Sequence, residues 1–234
     1  AVDQGNRIFV AMQSEIQDDA EQDFGFQYAS VVEISKKGEL ISTLATTANT
    51  YEPGSKYSAR QTSRFPAIEA DESGVYILEN IENYKAGVNV DPLQIKVKKI
   101  TKDGRLLWET FFGTSSPDKG NDLLLSPDGG IVVAGYTHTK SFDQRAFINK
   151  YNSDGTLAWS KLLTSNDVAE VKAISVDTDG NIFASGFAEG RLESISAENE
   201  YSFAMKLNPD GDITWVKTTN SKITRSNLGP SVAI

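Results

Sequence analysis

The sequence predicts an all-β protein built from four internal repeats, each contributing one four-stranded antiparallel sheet. Three observations support this fold class. A segment consisting of a strand-forming run, a tight turn and a second run occurs four times. A second segment of the same kind follows each copy, and a tryptophan holds the same place in three of the four repeats.

The first recurring segment joins an Asp-Gly type turn to an apolar strand. Aligned on Ile8, Val75, Ile131 and Ile182, its copies are "VDQGNRIFVAM" (2–12), "DESGVYILENI" (71–81), "SPDGGIVVAGY" (126–136) and "DTDGNIFASGF" (177–187). Asp and Asn initiate such turns by bonding their own backbone, and Gly accepts the positive φ that the turn requires. This segment therefore predicts a hairpin turn followed by the second strand of a sheet.

The second recurring segment supplies the other hairpin of each repeat. Its copies are "ASVVEISKKGELISTLAT" (29–46), "QIKVKKITKDGRLLWETF" (94–111), "AFINKYNSDGTLAWSKLL" (146–163) and "SFAMKLNPDGDITWVKTT" (202–219). Trp108, Trp159 and Trp215 occupy one position in these copies, and Ser42 occupies it in the first. A bulky residue at a fixed strand position predicts packing between neighbouring sheets.

Two hairpins per repeat, in sheets too small to bury their own faces, are typical of a β-propeller with four-stranded blades. We expect a single propeller domain over 1–234, or part of one, with repeats at about 1–64, 65–119, 120–168 and 169–229, and with 230–234 starting or completing a blade. The last residues, "SVAI", followed by the first, "AVDQGN", would read as one unbroken repeat. Three arrangements stay open: a segment of a larger propeller, which we favour, a closed four-bladed ring, or two copies forming an eight-bladed ring.

The repeats resemble a known family. The run "GNDLLLSPDGGIVVAGYTHT" and the run "AFINKYNSDGTLAWSKLL", with their copies, resemble the bacterial β-propeller repeats often labelled SBBP-type, which occur in secreted and cell-surface proteins. The resemblance spans nearly the whole chain, and it is weakest in the first two copies, which carry long insertions. It implies the propeller fold and an extracellular, cell-surface or periplasmic location, but no particular activity.

Composition narrows the choice of partner and chemistry. A formal net charge of −9 disfavours nucleic acid and anionic membrane surfaces as partners. The chain has no cysteine and one histidine, which excludes thiolate catalysis and a multi-histidine metal site within one chain. No apolar run approaches the roughly 18 residues of a membrane helix. We therefore expect a protein or glycan partner, with no membrane insertion, besides further blades of the same protein or a second copy of the chain.

The candidate binding residues lie in the links between hairpins, since long loops on a rigid scaffold commonly carry binding sites. The link around 46–65 combines aromatic faces with cationic donors, which suit a sugar or an acidic group. His138 follows a strand end on the same predicted face. The candidate residues are Tyr51, Tyr57, Arg60, Arg64, Tyr84, His138 and Arg145.

No cofactor is expected, although calcium stays open as a structural ion. Asp177 and Asp179 in "DTDG" are its candidate ligands, but the full spacing of a calcium loop is absent and turn chemistry explains both residues. The acidic link at 13–27 offers further carboxylates.

The predicted function is a non-enzymatic binding or scaffold module. One alternative is an enzyme acting on a polysaccharide, as lyase or hydrolase, with His138, Tyr57 or an acidic pair as its catalytic groups. The other is a structural spacer in a large adhesin.

Overall fold

The computed structural model describes residues 1–16, 26–48, 60–85, 88–114, 117–138, 144–164, 167–196 and 201–218. Within these ranges the chain forms strands, turns and short links. The same ranges contain no helix that is long and apolar enough to cross a membrane. The strands are β1 (Ile8–Ile16), β2 (Phe26–Ile34), β3 (Leu40–Ala48), β4 (Arg60–Asp71), β5 (Gly74–Lys85), β6 (Val88–Ile100), β7 (Leu106–Phe112), β8 (Asp118–Leu125), β9 (Ile131–His138), β10 (Gln144–Tyr151), β11 (Leu157–Leu162), β12 (Ala169–Val176), β13 (Ile182–Ala188), β14 (Arg191–Leu192), β15 (Ile195–Ser196), β16 (Tyr201–Leu207) and β17 (Ile213–Thr218).

The strands assemble into four antiparallel sheets and one short hairpin. Sheet 1 has the order β1-β2-β3, sheet 2 β4-β5-β6-β7, sheet 3 β8-β9-β10-β11 and sheet 4 β12-β13-β16-β17, while β14 pairs with β15. The all-β class is therefore confirmed, and sheets 2, 3 and 4 have the predicted four strands in sequence order. Sheet 1 has three strands among the described residues. The arrangement of the sheets as a propeller stays a prediction.

The chain divides into two compact units. The first, Ala1–Ser115, holds sheets 1 and 2, and the second, Ser116–Ile234, holds sheets 3 and 4. The expectation of a single domain over 1–234 stays a prediction.

Inside a sheet, burial falls from the middle strands to the outermost strand. The burial of β9 is almost complete on both faces, which matches its nearly continuous apolar sequence, and β10 is buried from Ala146 to Tyr151 although it contains Asn149 and Lys150. The outermost strand β11 alternates between exposed and half-buried residues, and Leu157 is 52% exposed. The solvent exposure of a side chain thus depends on which strand of the sheet carries it.

Seven turns in the described part of the chain share one geometry, which explains the recurring Asp-Gly signature. In the turn 126–130, the Ser126 amide donates to the Gly130 carbonyl at 2.8 Å and the Gly129 amide donates to the Ser126 carbonyl at 2.9 Å. Gly129 has a φ of 81°, as a three-residue hairpin loop with a glycine bulge requires. In the first repeat Asn6 takes this place with a φ of 60°, which asparagine tolerates better than most residues. The motif "PDGG" is therefore a hairpin turn.

A row of three side chains crosses sheet 2 near its second turn. Tyr76, Lys99 and Trp108 are register partners on β5, β6 and β7. The Lys99 ammonium lies 4.5 Å from the Tyr76 ring centroid, and the Tyr76 and Trp108 rings meet edge to face at 6.1 Å. Both contacts are favourable electrostatically, so the row stiffens the sheet across three strands. Sheet 4 repeats the row with Phe183, Lys206 and Trp215.

In the second unit, Trp159 joins sheet 3 to sheet 4. Its indole Nε1 donates to the Pro209 carbonyl at 3.0 Å, and its ring lies against Gly211, where an added Cβ would fall 2.9 Å from the ring. The ring also packs against the apolar cluster that both sheets build, which includes Ile148 and Leu207. The predicted packing of this tryptophan between neighbouring sheets is confirmed.

In the first unit an arginine makes the equivalent contact. Sheet 1 has Ser42 where sheet 3 has Trp159, and Ser42 is too short to reach the neighbouring sheet. Arg7 Nη2 donates instead to the Lys102 carbonyl at 3.2 Å, and Lys102 holds the place in its turn that Pro209 holds in sheet 4. The buried carboxylate of Glu33 receives both remaining bonds of the arginine, at 2.7 and 2.6 Å. A charged pair thus replaces an indole at this sheet junction.

Candidate functional site

The two ends of a sheet differ in the connections between strands that they carry. In sheet 3 the turns 126–130 and 152–156 lie at one end, which we call the turn end. The link between β9 and β10 and the start of β8 lie at the opposite end, which we call the link end. Antiparallel pairing forces this separation, because alternate connections of a meander fall on opposite edges.

Polar side chains at the turn end serve the turns themselves. Asp177 is the clearest case, since its Oδ1 accepts from the Asp179 and Asn181 amides at 3.0 and 2.8 Å and its Oδ2 accepts from Asn181 Nδ2 at 2.8 Å. The bond from the Asn181 side chain is the main cause of the lowered pKa of Asp177. Asn208 caps the next turn in the same way, through its Oδ1. The side chains of Asp177 and Asn208 are therefore engaged in hydrogen bonds that stabilise their own turns.

The structure does not bring Asp177 and Asp179 into a cluster of metal-ligand type. Over the described ranges, no group of three or more His, Asp or Glu side chains could hold a metal ion. The acidic residues Asp18, Asp19, Glu21 and Asp23 of the 13–27 link lie outside the described residues. Calcium binding at Asp177 and Asp179 stays a prediction.

A glycine near the link end permits a bulge in the first strand of two sheets. The pairing register of β8 with β9 shifts between Gly120 and Asp122, and a Cβ added at Gly135 would lie 1.9 Å from the Lys119 carbonyl oxygen. Gly186 in sheet 4 faces the Glu170 carbonyl at the same distance. The glycine of the recurring "AGY" and "SGF" is thus required for the close approach of a bulged strand.

His138 ends β9 at the link end of sheet 3, as predicted. Its Nδ1 lies 2.6 Å from the Pro117 carbonyl oxygen, and its ring meets the Tyr136 ring edge to face at 5.4 Å. A carbonyl oxygen only accepts hydrogen bonds, so Nδ1 carries the proton in this contact. The contact fixes the orientation of the imidazole at this strand end.

Arg145 is the second residue of β10 and follows Gln144, which is the register partner of His138. It pairs with Thr137, which pairs in turn with Asp118 at the start of β8. The Thr137 hydroxyl donates to the Asp118 carboxylate, and Asp118 is completely buried. The Arg145 Nε is buried and has no hydrogen-bond acceptor within the described part of the chain. Asp118, Thr137 and Arg145 therefore form one row across sheet 3, which we call the Arg145 row.

His138 and Arg145 lie on opposite faces of sheet 3. His138 pairs with Gln144, and Gln144 Nε2 reaches Glu170 on β12 of sheet 4 at 3.3 Å. The Arg145 row has the opposite side-chain direction, because adjacent strand residues alternate between faces. The structure thus places the two predicted residues at one end of one sheet, but it does not bring them together in one cluster.

Sequence reasoning missed a polar cluster around Glu170 at the link end. Glu170 is 4% exposed, and its Oε1 accepts from Asn121 Nδ2 at 2.8 Å and from Lys172 Nζ at 2.6 Å. Gln144 donates to its Oε2. The available signal was the pair of charged residues in "AEVKAI", a strand in which burial should favour apolar side chains.

Two polar side chains of β8 fasten the first strands of sheets 3 and 4 to each other beside this cluster. Asn121 Nδ2 donates to the Val171 carbonyl at 2.7 Å, and Asp122 Oδ2 accepts from the Ile174 amide at 2.9 Å. Burial raises the pKa of Asp122, although both of its bonds to backbone amides act in the opposite direction. These bonds hold the link ends of the two sheets at a fixed separation.

The remaining predicted residues belong to the first unit. Tyr51 and Tyr57 lie outside the described residues. Arg60 and Arg64 lie in β4 and Tyr84 lies in β5, with side chains outside the described part of the structure. Arg60 and Tyr84 are register partners, so the pairing brings these two positions together at the link end of sheet 2. Their role in binding stays a prediction.

Comparison of the chain with models of known protein families gives no match, and comparison with curated proteins gives none either.

Proposed function

We propose that the protein is a non-enzymatic extracellular binding module, a β-propeller or part of one, that recognises a protein or glycan through the link ends of its sheets. The sequence resemblance to secreted propeller repeats and the acidic, cysteine-free composition support the location and the arrangement. The observation that carries the binding role is the Arg145 row at the link end of sheet 3.

The Arg145 row carries a positive charge on a half-buried side chain at the link end of sheet 3. The guanidinium Nε is buried without an acceptor among the described residues. A buried donor left unpaired costs about 1–3 kcal/mol, so the Arg145 side chain gains a hydrogen bond when it turns towards an acceptor on a ligand. A guanidinium forms charge-assisted hydrogen bonds with anionic acceptors such as carboxylates, so we expect an acidic glycan or an acidic protein surface as ligand.

The contrast with the turn end supports this choice of face. At the turn end, Ser35 Oγ accepts from the Lys37 and Glu39 amides, and Asp3 Oδ1 accepts from the Arg7 amide. Polar groups there stabilise the fold and recur from repeat to repeat. Polar groups at the link end differ between repeats, as expected where a scaffold carries a specific site.

An array of acidic and neutral glycans together with extracellular proteins tests the proposal. Arg145→Gln should lower the affinity for the ligand found by about tenfold or more, because a charge-assisted hydrogen bond contributes about 1.5–3 kcal/mol. Arg105→Gln is the matched control, since Arg105 is exposed at the turn end and its substitution removes the same charge. Equal effects of both substitutions would contradict the proposed face, and new reducing ends or unsaturated products from a bound polysaccharide would favour an enzyme instead.

A further inference from the structure

Sheet 2 contains a pair of charged residues at a place where sheets 3 and 4 contain none. Glu79 on β5 is the register partner of Lys96 on β6. The same place in sheets 3 and 4 holds a glycine paired with a phenylalanine, Gly135 with Phe147 and Gly186 with Phe203. Glu79 is 1% exposed, and both phenylalanines are buried as well. Sheet 2 therefore buries a charged pair where the other two sheets bury an aromatic ring.

A second lysine joins this pair. The Lys98 ammonium donates to Glu79 Oε2 at 3.1 Å, and the Lys96 ammonium lies at 3.1 Å from the same oxygen. The counterparts of Lys98 in sheets 3 and 4 are buried and uncharged, namely Asn149 and Met205. Two ammonium groups thus share one carboxylate oxygen. We call Glu79, Lys96 and Lys98 the Glu79 cluster.

The Glu79 cluster lies on the face of sheet 2 that packs against sheet 1. Lys98 is the register partner of Ile77, and Ile77 belongs to the apolar cluster that sheets 1 and 2 build together. Residues two apart on a strand share a face, so Lys96 has the same direction as Lys98. The Phe65 ring, from β4, lies 5.0 Å from the Lys98 ammonium. All these residues belong to the first unit.

Solvent reaches the Glu79 cluster from the side of Lys96. The side chain of Lys96 is 17% exposed and that of Lys98 is 11% exposed. Phe111, the register partner of Lys96 on the outermost strand, is 57% exposed, and its ring centroid lies 5.6 Å from the Lys96 ammonium. Such limited exposure of the ammonium groups suits a small ion rather than a macromolecular surface.

The Glu79 cluster contains more positive than negative charge. Its two ammonium groups face one buried carboxylate. Glu109 lies 3.9 Å from Lys96, but its side chain is 41% exposed, so water screens this charge. Each ammonium offers three N–H donors, and the contacts with Glu79 and Glu109 use only part of them. Uncompensated charge is unfavourable in a buried place, so a second anion would stabilise the cluster.

We propose that Lys96 and Lys98 bind a small oxyanion, such as sulfate or phosphate, beside Glu79. A lysine ammonium is a compact charge that does not require a planar partner, so it suits a tetrahedral oxyanion. Glu79 holds the two ammonium groups together in the absence of the ligand, and it weakens ligand binding by repulsion. The proposal is independent of the Arg145 row, which lies in the second unit.

An NMR titration of the full chain, with isotope-labelled lysine, tests the site. Sodium sulfate is compared with sodium chloride at equal ionic strength, and the side-chain signals of Lys96 and Lys98 report binding. We expect both signals to shift to saturation with sulfate and to stay unchanged with chloride. Equal responses to the two salts would overturn the proposal. A sulfated monosaccharide is titrated in the same way: tighter binding than that of sulfate assigns the site to a sulfated sugar, and equal or weaker binding assigns it to the free ion.

Two substitutions should change the affinity in opposite directions, which a purely structural ion cluster would not produce. Lys98→Met should weaken sulfate binding about tenfold or more, because one of the two binding charges is lost. Met205 is buried at the same place in sheet 4, so we expect this variant to fold. Glu79→Gln should tighten binding about fivefold or more, because the competing carboxylate is lost. Lys37→Met, at an exposed turn position of sheet 1, removes the same charge as Lys98→Met and should leave the affinity unchanged. An unchanged affinity in both cluster variants, or equal losses in the two lysine variants, would show that the proposal is wrong.

Discussion

The Trp159 indole donates a hydrogen bond to the Pro209 carbonyl at 3.0 Å, and this single bond joins the outermost strand of sheet 3 to a turn of sheet 4. The equivalent carbonyl in the first unit, on Lys102, receives its bond from Arg7 instead. The acceptor in the turn is thus retained. The donor changes from an indole in the outermost strand to a guanidinium in the turn before β1. The carbonyl of the second turn residue is therefore the fixed element of the junction between neighbouring sheets.

Truncation of Trp159 tests the junction in the second unit. We expect Trp159→Phe to lower the free energy of unfolding by about 1 kcal/mol, because it removes one hydrogen bond. Trp159→Ala should lower it by about 3 kcal/mol, because the ring contacts are lost as well. Urea denaturation measures both values. Leu157→Ala, at a 52% exposed position on the same strand, is the control, and a loss as large as that of Trp159→Ala would contradict the assignment.

The junction in the first unit depends on charge. Arg7→Ala should lower the free energy of unfolding by about 2 kcal/mol, because Glu33 is then left buried without its partner. Arg7→Ala combined with Glu33→Gln should recover part of that loss, since no uncompensated carboxylate remains. A double-mutant cycle measured by urea denaturation checks this coupling, and additive losses would show that the two side chains act independently.

The same pair predicts a dependence of stability on pH. The hydrogen bond from Arg7 is the main cause of the lowered pKa of Glu33, below its ordinary value of 4.5. The unfolded chain therefore binds a proton at Glu33 more readily than the folded chain. The contribution of this pair is fully present above about pH 4.5 and is lost as the pH falls through the lower pKa of the folded state.

Glu33→Gln provides the measurement for this dependence. Stability curves of the native chain and of the variant should converge as the pH falls below 4.5, because the ion pair no longer distinguishes them. Thermal unfolding at a series of pH values measures the difference. A constant difference between pH 7 and pH 2 would contradict the role assigned to the carboxylate.

Two glycine substitutions separate a steric requirement from a conformational one. Gly135→Ala should destabilise the protein by several kcal/mol, roughly 3 or more, because its Cβ would lie 1.9 Å from the Lys119 carbonyl oxygen. Gly38→Ala should cost only about 1–2 kcal/mol, because its φ is 81° but no atom lies within 4 Å of the added Cβ. Chemical denaturation of both variants checks the order. Similar losses at the two positions would refute the explanation of the "AGY" glycine.

The turns and strand pairing were predictable from the sequence because their determinants are local. The glycine at the fourth place of a turn such as 126–130, and the strand-forming runs beside it, are decided within a few residues. The exchange of an indole donor for Arg7 was not predictable. It depends on Lys102, which is 95 residues away, and on the direction of a carbonyl group that no local pattern reveals.

The sequence indicated which end of the sheet carries the candidate residues, but it did not indicate which of these residues lie close together. Loop asymmetry indicated the link end, and both His138 and Arg145 lie there in sheet 3. Their separation onto opposite faces follows from the register of β9 against β10, in which His138 pairs with Gln144 and Thr137 pairs with Arg145. The cluster around Glu170 was missed because its partners come from three strands of two sheets.

The most direct test of the central claim, that the link ends bind and the turn ends stabilise, is a map of backbone amide shifts by NMR during titration with the ligand that the array identifies. We expect the shifts to concentrate at Asp118, Thr137, His138 and Arg145, while the turns 126–130 and 152–156 stay unchanged. Shifts concentrated in those turns, with an unchanged link end, would contradict this claim.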